Sequence, residues 1–220
     1  FCDHLIVFDT SYKKNIFPSP RNTHVVATYR ILREDVAKKN RGFYTQREYN
    51  LKPLLRSKAS QYRFMELGRS CVRKSYRTKR CIELLWQGLW QYAQYYQIDV
   101  MFGCASFEGT NIQRHAQALS YLHHFASPPE EWYCKAHPHL YQPMNLLSKE
   151  EIQNAHALKD MPPLIKGYLR LGAYVGDGAV IDPVFGTTDV LIILPVKRIH
   201  PRYFAYFGSP EEDRMKSQAA

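Results

Sequence analysis

No apolar stretch in this 220-residue chain approaches the roughly 20 residues that a membrane-spanning helix requires. The longest runs, 190–196 and 5–8, are less than half of that, so no transmembrane helix is expected. Cysteine is sparse as well: Cys2, Cys71, Cys81, Cys104 and Cys134 are odd in number, widely spaced and free of any C-x-x-C pair. This excludes a disulfide framework and fits reduced thiols in a cytosolic protein. Acidic residues are the third shortage. Twenty Asp and Glu against thirty Lys and Arg leave a formal charge of +10, which points to an anionic partner. Nucleic acid, an acidic membrane surface, a phosphorylated cofactor and an acidic carrier protein all qualify on charge alone. The chain also opens on Phe1 without Met, a charged leader or a cleavage site, so it is expected to be truncated or processed, with part of the domain missing.

What is present is core-forming material. Hydrophobic residues make up 45% of the chain and aromatics 14%, too much for a disordered tail and enough for one globular domain, or at most two small ones. Strands are expected at 4–9, 24–32, 62–72, 99–107, 164–175 and 188–196, with a helix-and-loop excursion over 33–60. The alternation of Ile165, Leu169, Leu171, Ala173 and Val175 carries the strand at 164–175, and a glycine-rich turn over 175–178 would lead from it to the last strand. Between 80 and 97, Ile82, Leu85, Trp86, Leu89, Trp90 and Ala93 recur at helical spacing, and 111–125 predicts a second amphipathic helix. Residues 126–160, with four prolines, read as irregular around a short helix near 149–157, after a loop at 17–22 and before a polar tail at 209–220. The order is mixed α/β, with too few crossovers for a doubly wound parallel sheet.

Charges that stand where apolar residues are expected need an account. Glu66 and Arg69 lie in the strand at 62–72, where unpaired charges would cost several kcal/mol. They are either a structural ion pair or part of a site. Gly68 between them is a natural bulge position, which would turn both toward one cleft. Arg30 is a third such charge, in the strand at 24–32; it either emerges at the surface or joins a polar pocket for a zwitterionic substrate. The densest positive group is Arg69, Arg73, Lys74, Arg77, Lys79 and Arg80, where that strand meets the Trp86 helix. Cations at a helix N-terminus oppose its dipole, so phosphate binding is the sharper reading and a solvated basic face the blander one. Cys134, His137 and His139 do not match common zinc spacings, so no metal is expected. Cys71 and Cys81 flank the basic cluster and read as packing thiols ahead of nucleophiles, and no nucleic-acid-binding motif accompanies the basic charge.

The segment VRKSYRTKR at 72–80, between strand and helix, resembles the cofactor-binding turn of the GNAT superfamily of N-acyltransferases, with Arg80 and Ile82 where glycines usually stand. The resemblance then implies a donor phosphate held by side chains, which suits the phosphopantetheine arm of an acidic acyl carrier protein and requires no tightly bound cofactor. More specifically, FCDHL at 1–5, ELGRSCV at 66–72, PPLIKGYLRLG at 162–172 and TTDVLIILP at 187–195 resemble blocks of the bacterial ornithine N-acyltransferases, which are related to acyl-homoserine lactone synthases. That resemblance implies one GNAT-like domain over 1–208, a mixed central sheet flanked by helices, lacking its N-terminal part. It implies fatty acyl transfer, including 3-hydroxyacyl chains, from carrier protein to the α-amine of ornithine, in the cytoplasm or at the inner membrane surface. Glu66 is then the expected base, Arg30 and Arg69 orient the acceptor's carboxylate or Glu66, and Asp3 holds the side-chain ammonium. Backbone N–H groups at Cys71 and Val72 meet the oxyanion, and Arg73, Lys74, Arg77, Lys79 and Arg80 hold the carrier arm. Glycine or a homoserine derivative as acceptor, and a basic nucleic-acid-binding module, remain the alternatives.

Overall fold

The computed structural model describes residues 1–10, 24–58 and 61–203. The expected loop at 17–22 and the tail at 209–220 lie outside them. Contacts divide the described residues into two compact units, one built from 1–10, 24–32, 67–97 and 201–203, the other from 33–58, 61–66 and 98–200.

In the first unit, β1 (Asp3–Asp9) pairs antiparallel with β2 (His24–Arg33), and β2 lies beside β4 (Phe64–Val72). Helix α3 (Lys79–Tyr95) buries Leu85, Leu89, Trp90 and Ala93, as the helical spacing predicts, together with Cys81, whereas Trp86 is half-buried and Ile82, also expected on the core side, is exposed. Each buried leucine contributes about 1.5–3 kcal/mol. The helix covers the face of β1 that carries Leu5, which lies so close to Gly88 that a Cβ there would sit 2.6 Å from Leu5 Cδ1. Alternation along β1 then puts His4, Ile6 and Phe8 on the opposite face.

In the second unit the start of β4 is followed across the sheet by β5 (Val100–Glu108), β9 (Thr187–Pro195), β8 (Tyr174–Asp182), β6 (Lys135–Ala136) and β3 (Tyr49–Asn50), with β7 (Tyr141–Gln142) also on β8. The start of β4 runs parallel to β5, whereas β5, β9 and β8 are antiparallel, so the sheet is mixed. Strand β9 is buried from Thr188 to Pro195 without alternation, as a central strand covered on both faces must be. Shorter elements complete the unit: α1 (Glu34–Lys38), a 3-10 turn Tyr44–Arg47, α2 (Lys52–Lys58), α4 (Ala116–Phe125) and α5 (Asn154–Asp160).

The expected strand at 164–175 is not there. Helix α6 (Pro163–Arg170) takes its place, burying Ile165 and Tyr168 at three-residue spacing. Pro162 and Pro163 start it, since a proline in the first turn loses no helical hydrogen bond. Gly172, at φ +91°, ends it in a Schellman motif: the Ala173 N–H donates to the Tyr168 carbonyl (3.1 Å) and the Gly172 N–H to that of Leu169 (3.0 Å). The expected turn at 175–178 is also corrected, because it is part of β8, with a register shift between Val175 and Ala179.

Candidate active site

Glu66 is 2% exposed and accepts three hydrogen bonds within the second unit. The Tyr44 N–H donates to Oε2 (2.9 Å), while the Thr45 N–H and Oγ1 both donate to Oε1 (2.6 Å each). These donors belong to the first turn of the Tyr44–Arg47 3-10 helix, whose free N–H groups and dipole favour an anion. The carboxylate is therefore fixed in orientation by both oxygens.

Beyond Glu66, the second unit gathers polar groups that sequence reasoning did not single out. Burial first, then the neighbouring charges of Asp189, Asp182 and Glu66, push the Glu48 carboxyl above its ordinary value, although a hydrogen bond with Cys104 opposes the shift. Glu48 Oε2 is buried and accepts no hydrogen bond from the described residues. Burial and the adjacent Glu48 raise the Cys104 thiol well above the usual range, so it is poorly suited to act as a thiolate nucleophile. The phenol of Tyr49 is fully buried and donates to the carbonyls of Gly178 (2.8 Å) and Asp189 (3.2 Å). Asp189, 7% exposed inside the apolar β9, carried a readable signal, an acid in a core strand. Glu48 carried none, because it lies in a segment already rich in charge.

In the first unit, Arg30 on β2 is half-buried and pairs in register with His4, on the β1 face away from α3. Its guanidinium crosses to β4 and lies over Gly68. The next residue, Arg69, has φ +51°, so the backbone turns left-handed one position after the expected bulge glycine, and its side chain is exposed. Asp3 is not on Arg30's face. It pairs with Ile31 and accepts a hydrogen bond from the Tyr92 hydroxyl of α3. Cys71 is exposed and Val72 half-buried at the end of β4, where the Arg73 N–H donates to the Val26 carbonyl (2.9 Å).

Arg73, Lys74, Arg77, Lys79 and Arg80 are all exposed at the junction of β4 and α3. Two are anchored: Arg73 Nε donates to the Val25 carbonyl (2.8 Å) and Arg77 Nε to that of Val72 (3.2 Å). Thr78 caps α3, its Oγ1 accepting from the Cys81 N–H (3.3 Å), and the first turn contains no acidic residue. Lys79 lies 3.6 Å from Glu83, a pair too exposed to contribute much. His137 Nε2 is 2.9 Å from the Gln46 carbonyl and Cys134 is buried, and no group of three metal-ligating side chains occurs among the described residues.

Residues 1–87 match the family model described as an acetyltransferase (GNAT) domain. The chain is 53% identical over 208 residues to the L-ornithine N(alpha)-acyltransferase of Brucella abortus (strain 2308), covering 94% of this chain and 72% of that protein. It is 52% identical to the protein of the same name from Rhizobium meliloti (strain 1021), covering 94% and 68%. Against the one from Rhodobacter capsulatus the identity is 38%, covering 96% and 78%. Among solved structures, FeeM, an N-acyl amino acid synthase from uncultured soil microbes, is similar with a TM-score of 0.44 and 9% identity, covering 79% of this chain and 62% of that one.

Proposed function

The chain belongs to the L-ornithine N(alpha)-acyltransferase family, a family of GNAT acyltransferases, and on that premise we propose how its residues divide the reaction. The acceptor is ornithine and the donor a fatty acyl thioester of acyl carrier protein. The observation that carries the acceptor half is the group of carboxylates in the second unit, with Glu66 pinned by Tyr44 and Thr45, and Glu48 raised by burial and its acidic neighbours. Ornithine brings two ammonium groups. A buried acid crowded by like charges is relieved when a cation binds beside it.

Acyl transfer requires the α-ammonium to lose a proton before its nitrogen attacks the thioester carbonyl. Glu66 is the candidate base, directly or through water. The C–N bond forms and the C–S bond breaks through a tetrahedral oxyanion, for which backbone N–H groups at Cys71 and Val72 are the candidate donors. The carrier's thiolate leaves and takes up a proton. No covalent enzyme intermediate is needed, in keeping with the raised thiol of Cys104. Arg30 is the candidate for the acceptor's carboxylate, with Arg69 in support. Within the second unit Glu48 is a candidate for an ammonium group, whereas Asp3 is engaged by Tyr92 on the face covered by α3.

The exposed cations Arg73, Lys74, Arg77, Lys79 and Arg80 would receive the donor: an acidic carrier is steered by such a field, and its single phosphate needs no glycine-lined cradle. The same charge would favour contact with an anionic membrane surface, where a lipid product belongs. Among the described residues no helix is long and apolar enough to cross a membrane.

Mixing the protein with acyl carrier thioester and ornithine, and following free thiol, tests the reading. Thiol release that depends on ornithine is expected. No release, together with a retarded nucleic acid band at physiological salt, would replace it with the basic binding module.

A further inference from the structure

Arg30 reaches sideways across the sheet of the first unit instead of extending into solvent. Gly68 is what it reaches. A Cβ built on Gly68 would lie 2.7 Å from Arg30 Nη2, 3.3 Å from Cζ and 3.4 Å from Nε, so the guanidinium occupies the space that a side chain at 68 would need. The backbone of Gly68 does not itself require glycine, since its φ lies outside the left-handed region. The absence of a side chain therefore serves the space above the strand.

We propose that Gly68 is a positioning residue that seats the Arg30 guanidinium against β4, and that this seat restricts the acceptor to amines bearing a carboxylate. The proposal rests on the reading that Arg30 receives the acceptor's carboxylate. A guanidinium has five N–H donors in a rigid fork, enough to serve a partner in the protein and a substrate carboxylate together. Bidentate pairing needs that fork held in one orientation, and the space left open at Gly68 lets it pack against β4. An amino acid such as ornithine fits this seat. A diamine of the same length without the carboxylate leaves it empty.

The clash introduced by Gly68→Ala falls on the far end of a flexible side chain, so Arg30 lifts off while the strand stays in place. The folded protein should survive and the seat should not. The experiment compares wild type, Gly68→Ala, Arg30→Lys and the double variant, with acyl carrier thioester as donor and ornithine or 1,4-diaminobutane as acceptor. Gly68→Ala is expected to lower the preference for ornithine over diaminobutane by about tenfold or more, chiefly through KM for ornithine, the scale of one charge-assisted hydrogen bond. Arg30→Lys should do the same, and the double variant should be no worse than Arg30→Lys alone. An unchanged preference in Gly68→Ala, or losses that simply add in the double variant, would overturn the proposal. A readout without substrate separates it from the reading it rests on. The Nε–H resonance of Arg30 should be protected from solvent exchange in wild type and lose that protection in Gly68→Ala. Protection that survives the alanine removes the seat, whereas a protected wild type that fails to acylate ornithine removes only the acceptor reading and the selectivity drawn from it.

Discussion

Glu66 is the residue on which two demands meet. Both of its oxygens accept hydrogen bonds from backbone or hydroxyl donors at 2.6–2.9 Å, so a glutamine there must turn an amide NH2 toward an N–H that needs an acceptor. Glu66→Gln is expected to abolish acyl transfer and to cost about 1–3 kcal/mol of stability, measured by urea denaturation. Activity near the wild-type level would remove Glu66 as the base. Glu48 presents the reverse case. Its carboxyl is raised above the ordinary 4.5, so the fold favours its protonated form. That stabilisation is complete below the unfolded value and is lost as pH rises through the folded one. Glu48→Gln should therefore be more stable than wild type at about pH 7, with the difference shrinking toward pH 4, while its KM for ornithine rises. Glu66 and Arg30 were legible in the sequence because a charge inside an apolar strand has to be accounted for. Glu48 was not, since nothing marks one acid within a charged segment until β5 and β9 bring Cys104 and Asp189 to it.

At the scale of elements, α3 was legible because six apolar residues keep helical spacing for three turns, and α6 was not. In the misread stretch, Ile165 and Leu169 are four apart, a spacing that serves a helix as well as a strand. The paired prolines before it and the glycine after it were helix boundaries. Gly172→Ala tests that boundary. At φ +91°, with its Cβ 3.2 Å from the Arg198 carbonyl, it should cost about 1 kcal/mol or more by urea denaturation. No loss would mean that the Schellman turn does not hold the end of α6. The first turn of α3 carries the opposite kind of information. Arg80 opposes the helix dipole, so Arg80→Glu should stabilise the helix by a few tenths to about 1 kcal/mol. The same change should weaken carrier association and flatten its salt dependence, measured by titration at two ionic strengths. Unchanged carrier affinity would return the cluster to a solvated basic face.

At the scale of the whole chain, a net charge of +10 favours an anionic partner without choosing it, and the mixed sheet is shared by enzymes of many specificities. On the function proposed above, choice enters through particular side chains: cations where β4 meets α3 for the donor, carboxylates around Cys104 for the acceptor. Spatial grouping of this second kind depends on β5, β9 and the turn at Tyr44–Arg47, which are far apart in sequence, so no local pattern announces it. The most direct measurement is a paired stoichiometry. With acyl carrier thioester and ornithine supplied to the protein, one free thiol should appear for each Nα-acylornithine formed, and neither should form when ornithine is withheld. Thiol release at the same rate without ornithine would show hydrolysis instead of amide formation, and would contradict the account.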